Sequence, residues 1–159
     1  MSANDKQVGG SHYKSEFQHW DLSLMLDLDG ITHTATKYLS REKEGLLDLE
    51  KALHCIDKLL ETKGKGGVTY TIDVCGVKIE VDNRPTTVPP DLRSTILLEV
   101  LPTYFKVNRL SKPRCKAIEA MIKWHMSHVA AYLVIARANT IELIEEYKVA
   151  EPSNQYVEQ

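Results

Sequence analysis

His33, Lys37 and Arg41 recur at steps of four, and Lys43 follows closely. On a helix that spacing sets side chains a turn apart on one side. Cations placed so can clamp a di- or triphosphate, Arg in a bidentate fork and Lys as a point charge. The same stripe also fits a solvated helix face balanced by Glu42 and Glu44. Asp48 and Lys51 stand three apart. They read either as a surface ion pair worth under ~1 kcal/mol, or as a pair in which Asp48 orients Lys51 or Arg41 or holds a magnesium–nucleotide complex. Upstream, Gly9-Gly10-Ser11-His12-Tyr13 offers flexible backbone donors, a hydroxyl, an imidazole and a ring. Such a loop can form an anion nest and stack a base on Tyr13, and it reads equally as a plain arm.

These groups need helices to position them. A helix is expected from Asp21, as N-cap, to a stop near Gly30, carrying Leu22, Leu24, Met25, Leu26 and Leu28. A second helix over about 31–43 puts Ile31, Ala35, Tyr38 and Leu39 on one side. After Gly45, Leu46, Leu49, Leu53, Ile56 and Leu60 alternate steps of three and four, a narrow seam that wants a partner helix. The short link predicts an antiparallel helical hairpin.

From Val68 the period changes to two. With Cys75-Gly76 as a hairpin turn, Val74 faces Val77, Ile72 faces Ile79 and Tyr70 faces Val81, while Asp73 meets Lys78 on the other face. A lone hairpin is marginal in water, so its apolar face should pack on helices or on another subunit. Pro85, Pro89 and Pro90 lead into a helix over about 91–101, stopped by Pro102. Ser111 caps a long last helix, with Pro113 in its first turn and a break expected near Asn139-Thr140. The fold class is therefore mainly α with a small β-hairpin. Residues 1–62 form an arm and a helical phosphate-binding module; 63–159 add the hairpin and C-terminal helices, packed with the first part as one unit.

Other chemistries find less support. His125-x-x-His128 has the spacing of two metal ligands but no third nearby, so packed or surface histidines are the simpler reading. Cys55, Cys75 and Cys115 form no CxxC pair and no disulfide framework. GxxxxGK[ST], GxGxxG, HExxH and GxSxG are absent, which excludes a classical P-loop kinase. A net charge of −2 argues against coating of nucleic acid. The longest apolar run, 129–136, is too short to span a bilayer. With a polar start at Ser2 to Gln7, these features lead us to expect a cytoplasmic protein.

The segment Gly9 to Glu61 resembles a family of small bacteriophage proteins generally described as nucleotide kinases, after a podovirus early protein that phosphorylates deoxynucleoside monophosphates without a P-loop. The family pattern is Ser-His-Tyr, then Lys-Tyr-x-x-Arg, a nearby Lys, and Asp-Leu-x-Lys-Ala. Here it reads Ser11-His12-Tyr13, Lys37-Tyr38 with Arg41, Lys43, and Asp48-Leu49 with Lys51-Ala52. His33-Thr34 stands where the family has Gly-Asn, and His54-Cys55 where it has Trp-Tyr. The match covers about a third of the chain.

The resemblance implies phosphoryl transfer from a nucleoside triphosphate to a (deoxy)nucleoside monophosphate. Lys37, Arg41 and Lys51 would neutralise the transferring group, Asp48 would orient a cation or a metal ion such as magnesium, and His12 would relay a proton. Ser11, Tyr13, His33, Tyr38 and Lys43 would contact substrate. Two other readings use the same residues or fold: a non-catalytic protein that sequesters a nucleotide signal, and an all-α nucleoside triphosphate pyrophosphatase. The last needs clustered carboxylates, for which Glu142, Glu145 and Glu146 are the nearest candidates. The narrow seam, the hairpin and Ala130, Ala131, Ala136 and Ala138 point to a homo-oligomer.

Overall fold

The computed structural model describes residues 15–85 and 88–151. It is mainly α with one small antiparallel hairpin, as the periodicities predict. The order is α1 (His19–Leu26), α2 (Gly30–Leu39), α3 (Leu46–Thr62), β1 (Thr69–Val74), β2 (Val77–Asp82), α4 (Pro90–Thr95), a π-helical turn (Ile96–Val100), α5 (Leu101–Val107), α6 (Lys112–Ser127) and α7 (Ala130–Ala150).

The core is gathered around α6, where Ala117, Ile118, Met121, Ile122 and Trp124 are buried. Helix α7 packs along it, α2 lies across it, and α3 packs against both α2 and α7. The α3 seam is buried at Leu49, Ile56 and Leu59, with Ala52 between them.

Helix boundaries depart from expectation where side chains reroute backbone bonds. The cap of helix α1 lies three residues before the expected one. Gln18 is the N-cap, and Asp21 closes a capping box by accepting the Gln18 N–H at 2.9 Å. Gly30 opens α2 instead of ending α1, because Asp29 caps it by accepting from the N–H groups of Ile31 and Thr32 at 3.0 and 2.9 Å. Helix α2 ends at Leu39, short of the expected Lys43, and a side chain from α6 takes its last carbonyls (below).

The hairpin follows the expected register in full, including Val74↔Val77, Ile72↔Ile79, Tyr70↔Val81 and Asp73↔Lys78. Cys75 and Gly76 both have positive φ, as a type I′ turn requires. Its apolar face does not pack on the helices as anticipated: Val74, Val77 and Ile79 are all more than half exposed.

Pro102 does not end its helix. The Leu101 N–H reaches back to the Ile96 carbonyl in a π turn, so the chain rewinds just before the proline. Pro102 then sits in the first turn of α5, where no N–H is needed. The last helix is interrupted at His128, in the left-handed region at φ 53°, and not at Asn139-Thr140. The side chains of Asn139 and Thr140 donate to the carbonyls of Ile135 and Ala136 at 2.9 and 2.8 Å, so the helix runs through them. No helix among the described residues is long and apolar enough to cross a membrane.

Candidate functional site

The elbow joining α2 to α3 brings together Tyr38, Arg41, Glu44, Asp48 and Lys51. Helix α2 presents Tyr38 on its last turn. The shortened helix leaves Arg41 on the link, free of helical geometry, and it turns back toward α3. There its Nε and one terminal nitrogen donate to Asp48 Oδ1 at 3.3 and 3.1 Å. Asp48 is fully buried, and its other oxygen accepts the Glu44 N–H at 2.9 Å. Both carboxylate oxygens are thus bonded within the elbow, and as arranged they do not fit a magnesium ion.

Lys51 pairs with Glu44 at 2.9 Å, not with Asp48. The Lys51 ammonium holds the Glu44 carboxyl below its usual range, and Glu44 raises Lys51 in turn. Two cations lie against the Tyr38 ring: the Arg41 guanidinium carbon is 4.7 Å from its centroid and the Lys51 Nζ 5.3 Å. Lys43 is exposed on the same link.

The elbow is held from below by groups that the sequence reading passed over. Arg114, buried in the first turn of α6, donates to the carbonyls of Leu39 and Arg41 at 2.8 and 3.1 Å and pairs with Glu42 at 3.5 Å. It satisfies carbonyls orphaned at the end of α2. Burial pulls its pKa below the arginine norm, while Glu42 and Asp48 oppose that. A signal for it existed: Arg114, Ile118, Met121 and His125 recur at helical spacing, which puts Arg114 on the core stripe. Tyr147 of α7 covers the turn from above, so close that a Cβ on Gly45 would lie 2.2 Å from its hydroxyl. Tyr104 Oη donates to Ser40 Oγ at 2.8 Å and secures the start of the link.

His33 belongs to a second cluster on the α1 side of α2, within electrostatic reach of Lys37. His19 and His33 meet edge to face with centroids 4.8 Å apart. His19 Nε2 lies 2.8 Å from Thr36 Oγ1, and His33 Nδ1 lies 2.6 Å from Ser23 Oγ. Burial, then the charges of His33 and Lys37, lower the His19 pKa from 6.5 to about 3. Burial and Lys37 lower His33 as well. The stripe His33–Lys37–Arg41 therefore divides: His33 faces α1 and Arg41 turns to α3, with Lys37 one helical turn from His33 and four residues from Arg41. Ser11, His12 and Tyr13 lie outside the described residues.

The remaining motifs have structural partners. His125 Nε2 contacts the Leu26 carbonyl at 2.8 Å in the core. His128 stacks on Trp124 and bonds the Asn83 carbonyl. Asn83 in turn donates to the carbonyls of Lys63 and Gly67, both at 3.2 Å, and so ties the hairpin base to the end of α3. Glu142, Glu145 and Glu146 are exposed on α7, with Glu145 paired to Lys148. Among the described residues, no three His, Cys, Asp or Glu side chains converge to hold a metal. In comparisons with known proteins, no family model, no curated protein and no solved structure matches this chain.

Proposed function

We propose that the α2–α3 elbow binds the phosphates of a nucleotide, and that the protein transfers a phosphoryl group from a nucleoside triphosphate to a (deoxy)nucleoside monophosphate without a P-loop. One observation carries the reading: two cations lie against the Tyr38 ring, one of them held by a buried carboxylate. Preorganised cations are what a site for a charged phosphoryl group needs, since they do not have to reorganise when the ligand arrives. In this reading Lys37, Lys43 and Lys51 meet phosphate oxygens, Tyr38 supports the ligand, and Asp48 positions Arg41. Glu44 would yield Lys51 to the stronger anion on binding. The resemblance implies that Ser11, His12, Tyr13 and His33 also contact substrate. Nucleotides are the partners, the host cytoplasm the setting, and self-association accompanies the activity.

A second reading is binding without turnover, as in sequestration of a nucleotide signal. The engagement of both Asp48 oxygens favours it, because that carboxylate is not free to act as a base. Thermal-shift titration with a panel of mono-, di- and triphosphates tests both, since a ligand that prefers the native state raises its melting point. Incubation with a deoxynucleoside monophosphate and ATP, followed by chromatography, then separates them. Diphosphate product supports the kinase; stabilisation without product supports the binder. No stabilisation by any nucleotide, or the same stabilisation in Lys51→Ala and Lys37→Ala variants as in the parent, removes the elbow site. Release of pyrophosphate from a triphosphate instead would point to the pyrophosphatase reading.

A further inference from the structure

The hairpin is bare where a small sheet ordinarily is covered. Val68, Val74, Val77 and Ile79 are 54–64% exposed and Ile72 is 37% exposed, all on one face. The described sheet has only β1 and β2, so the outer edge of β2 pairs with no other described strand. Such an edge is open to another strand. Which backbone groups it offers follows from the ladder. The Asn83 N–H donates to the Val68 carbonyl at 2.7 Å. By the antiparallel alternation, Val81, Ile79 and Val77 spend their backbone groups on β1, and those of Lys78, Glu80 and Asp82 point outward.

From this edge we infer that β2 pairs antiparallel with β2 of a second copy across a two-fold axis, joining the two hairpins into one sheet. In the register that places Ile79 on the axis, Lys78 stands opposite Glu80 of the second copy, and the symmetry repeats the pair. These positions have outward backbone groups, so each pair exchanges both ladder bonds while its side chains attract. Val77 falls opposite Val81 of the second copy, which keeps the apolar faces continuous. Asp82, already paired with Arg84 at 2.7 Å, falls opposite the glycine of the turn.

Charge selects this register. A slide by two residues, the smallest that keeps the apolar faces together, opposes Lys78 to Lys78 in one direction; in the other it opposes Glu80 to Glu80 and sets Lys78 against Asp82, a carboxylate already held by Arg84. The β1 edge offers no such match, because its outward residues are Thr69, Thr71 and Asp73. Within the chain Lys78 stands across the ladder from Asp73 without closing an ion pair. Among the described residues neither Lys78 nor Glu80 has an ion-pair partner; Glu80 accepts a hydrogen bond from Thr69 at 2.6 Å. The paired sheet also answers the marginal stability of a lone hairpin, since a sheet of three or more strands with an apolar face can stand alone.

Charge exchange tests it. Sedimentation velocity over a concentration series should show a reversible dimer for the parent chain. Lys78→Glu or Glu80→Lys alone opposes like charges at every pair and should weaken association about tenfold or more. The double variant K78E/E80K restores opposite charges and should recover the dimer. So should an equimolar mixture of the two single variants, as a heterodimer. Circular dichroism checks that each variant keeps its helices. A monomer at all concentrations means that something other than a second copy uses this edge, and overturns the inference. Dimers of unchanged affinity in the single variants, or failure of the double variant to recover, overturn it too. None of these readouts depends on nucleotide binding.

Discussion

Asp48, fully buried on the first turn of α3, holds Arg41 across the elbow at 3.1 Å while its second oxygen takes the Glu44 N–H. One carboxylate thus sets the guanidinium beside Tyr38 and closes the turn that follows α2. By its contacts Asp48 positions a cation, and of the two candidates the sequence offered, Lys51 and Arg41, that cation is Arg41.

Truncating it should therefore act first on stability. Asp48→Ala leaves a mostly buried guanidinium and a backbone N–H without their acceptor, a loss of about 2–3 kcal/mol on the scale of broken partly buried pairs. Arg41→Ala strands the buried carboxylate and should be similarly damaging, so it cannot by itself separate binding from folding. Lys37→Ala and Lys51→Ala can. Urea denaturation of the four variants checks the ranking; an Asp48→Ala change within about 0.5 kcal/mol, as at ordinary surface sites, would remove the elbow network from the account.

Arg114 should resist conservative replacement. Its fork serves the carbonyls of Leu39 and Arg41 and reaches Glu42. Lysine carries the charge but not the planar fork. Arg114→Lys should lose about 1–3 kcal/mol, the usual penalty for buried groups left unsatisfied, and hydrogen exchange of the α2 C-terminal turn should accelerate more than that of α7. Equal protection in parent and variant would argue against the capping role.

Gly45 carries two separable constraints. Its φ of 57° with ψ of −119° lies where only glycine is comfortable, and a Cβ would strike the Tyr147 ring. Gly45→Ala should destabilise strongly. Adding Tyr147→Ala should relieve the clash yet leave a backbone penalty of about 1–3 kcal/mol. Thermal melts of the two Gly45 variants, each against its own parent, distinguish the terms; full recovery would show that only the ring contact mattered.

The α1–α2 contact should weaken in mild acid. His19 sits neutral beside His33, Lys37 and Thr36, its folded pKa lowered to about 3 from an ordinary 6.5. A lowered histidine pKa means that the unfolded chain binds the proton more readily. Its contribution is full above pH 6.5 and is lost as pH falls from 6.5 toward 3. Asp29, also lowered, keeps its full contribution above its ordinary 3.8 and loses it only below, outside the range from 6.5 to 4. His19→Gln should flatten the slope of stability against pH between 6.5 and 4, measured by urea midpoint. An unchanged slope would show that another group carries the proton.

Local patterns determined much of this protein. The α3 seam, the type I′ turn and every cross-strand partner followed from period and turn chemistry, because those depend on neighbours within a few residues. The grouping of Tyr38, Arg41, Asp48 and Lys51 was legible too, since they lie on two helices joined by a short link. What Lys51 bonds was not, and for Asp48 two partners stayed open. A helix ends where its carbonyls find other donors, and those of α2 find Arg114, remote in sequence. Ion pairs form between side chains that packing brings within reach, so Asp48 took Arg41 and left Lys51 to Glu44. Likewise the break at His128 depends on where Asn83 arrives, and the bare face of the hairpin on which helices fail to cover it. Tertiary structure decided these because burial and long-range partners leave no local trace in a chain.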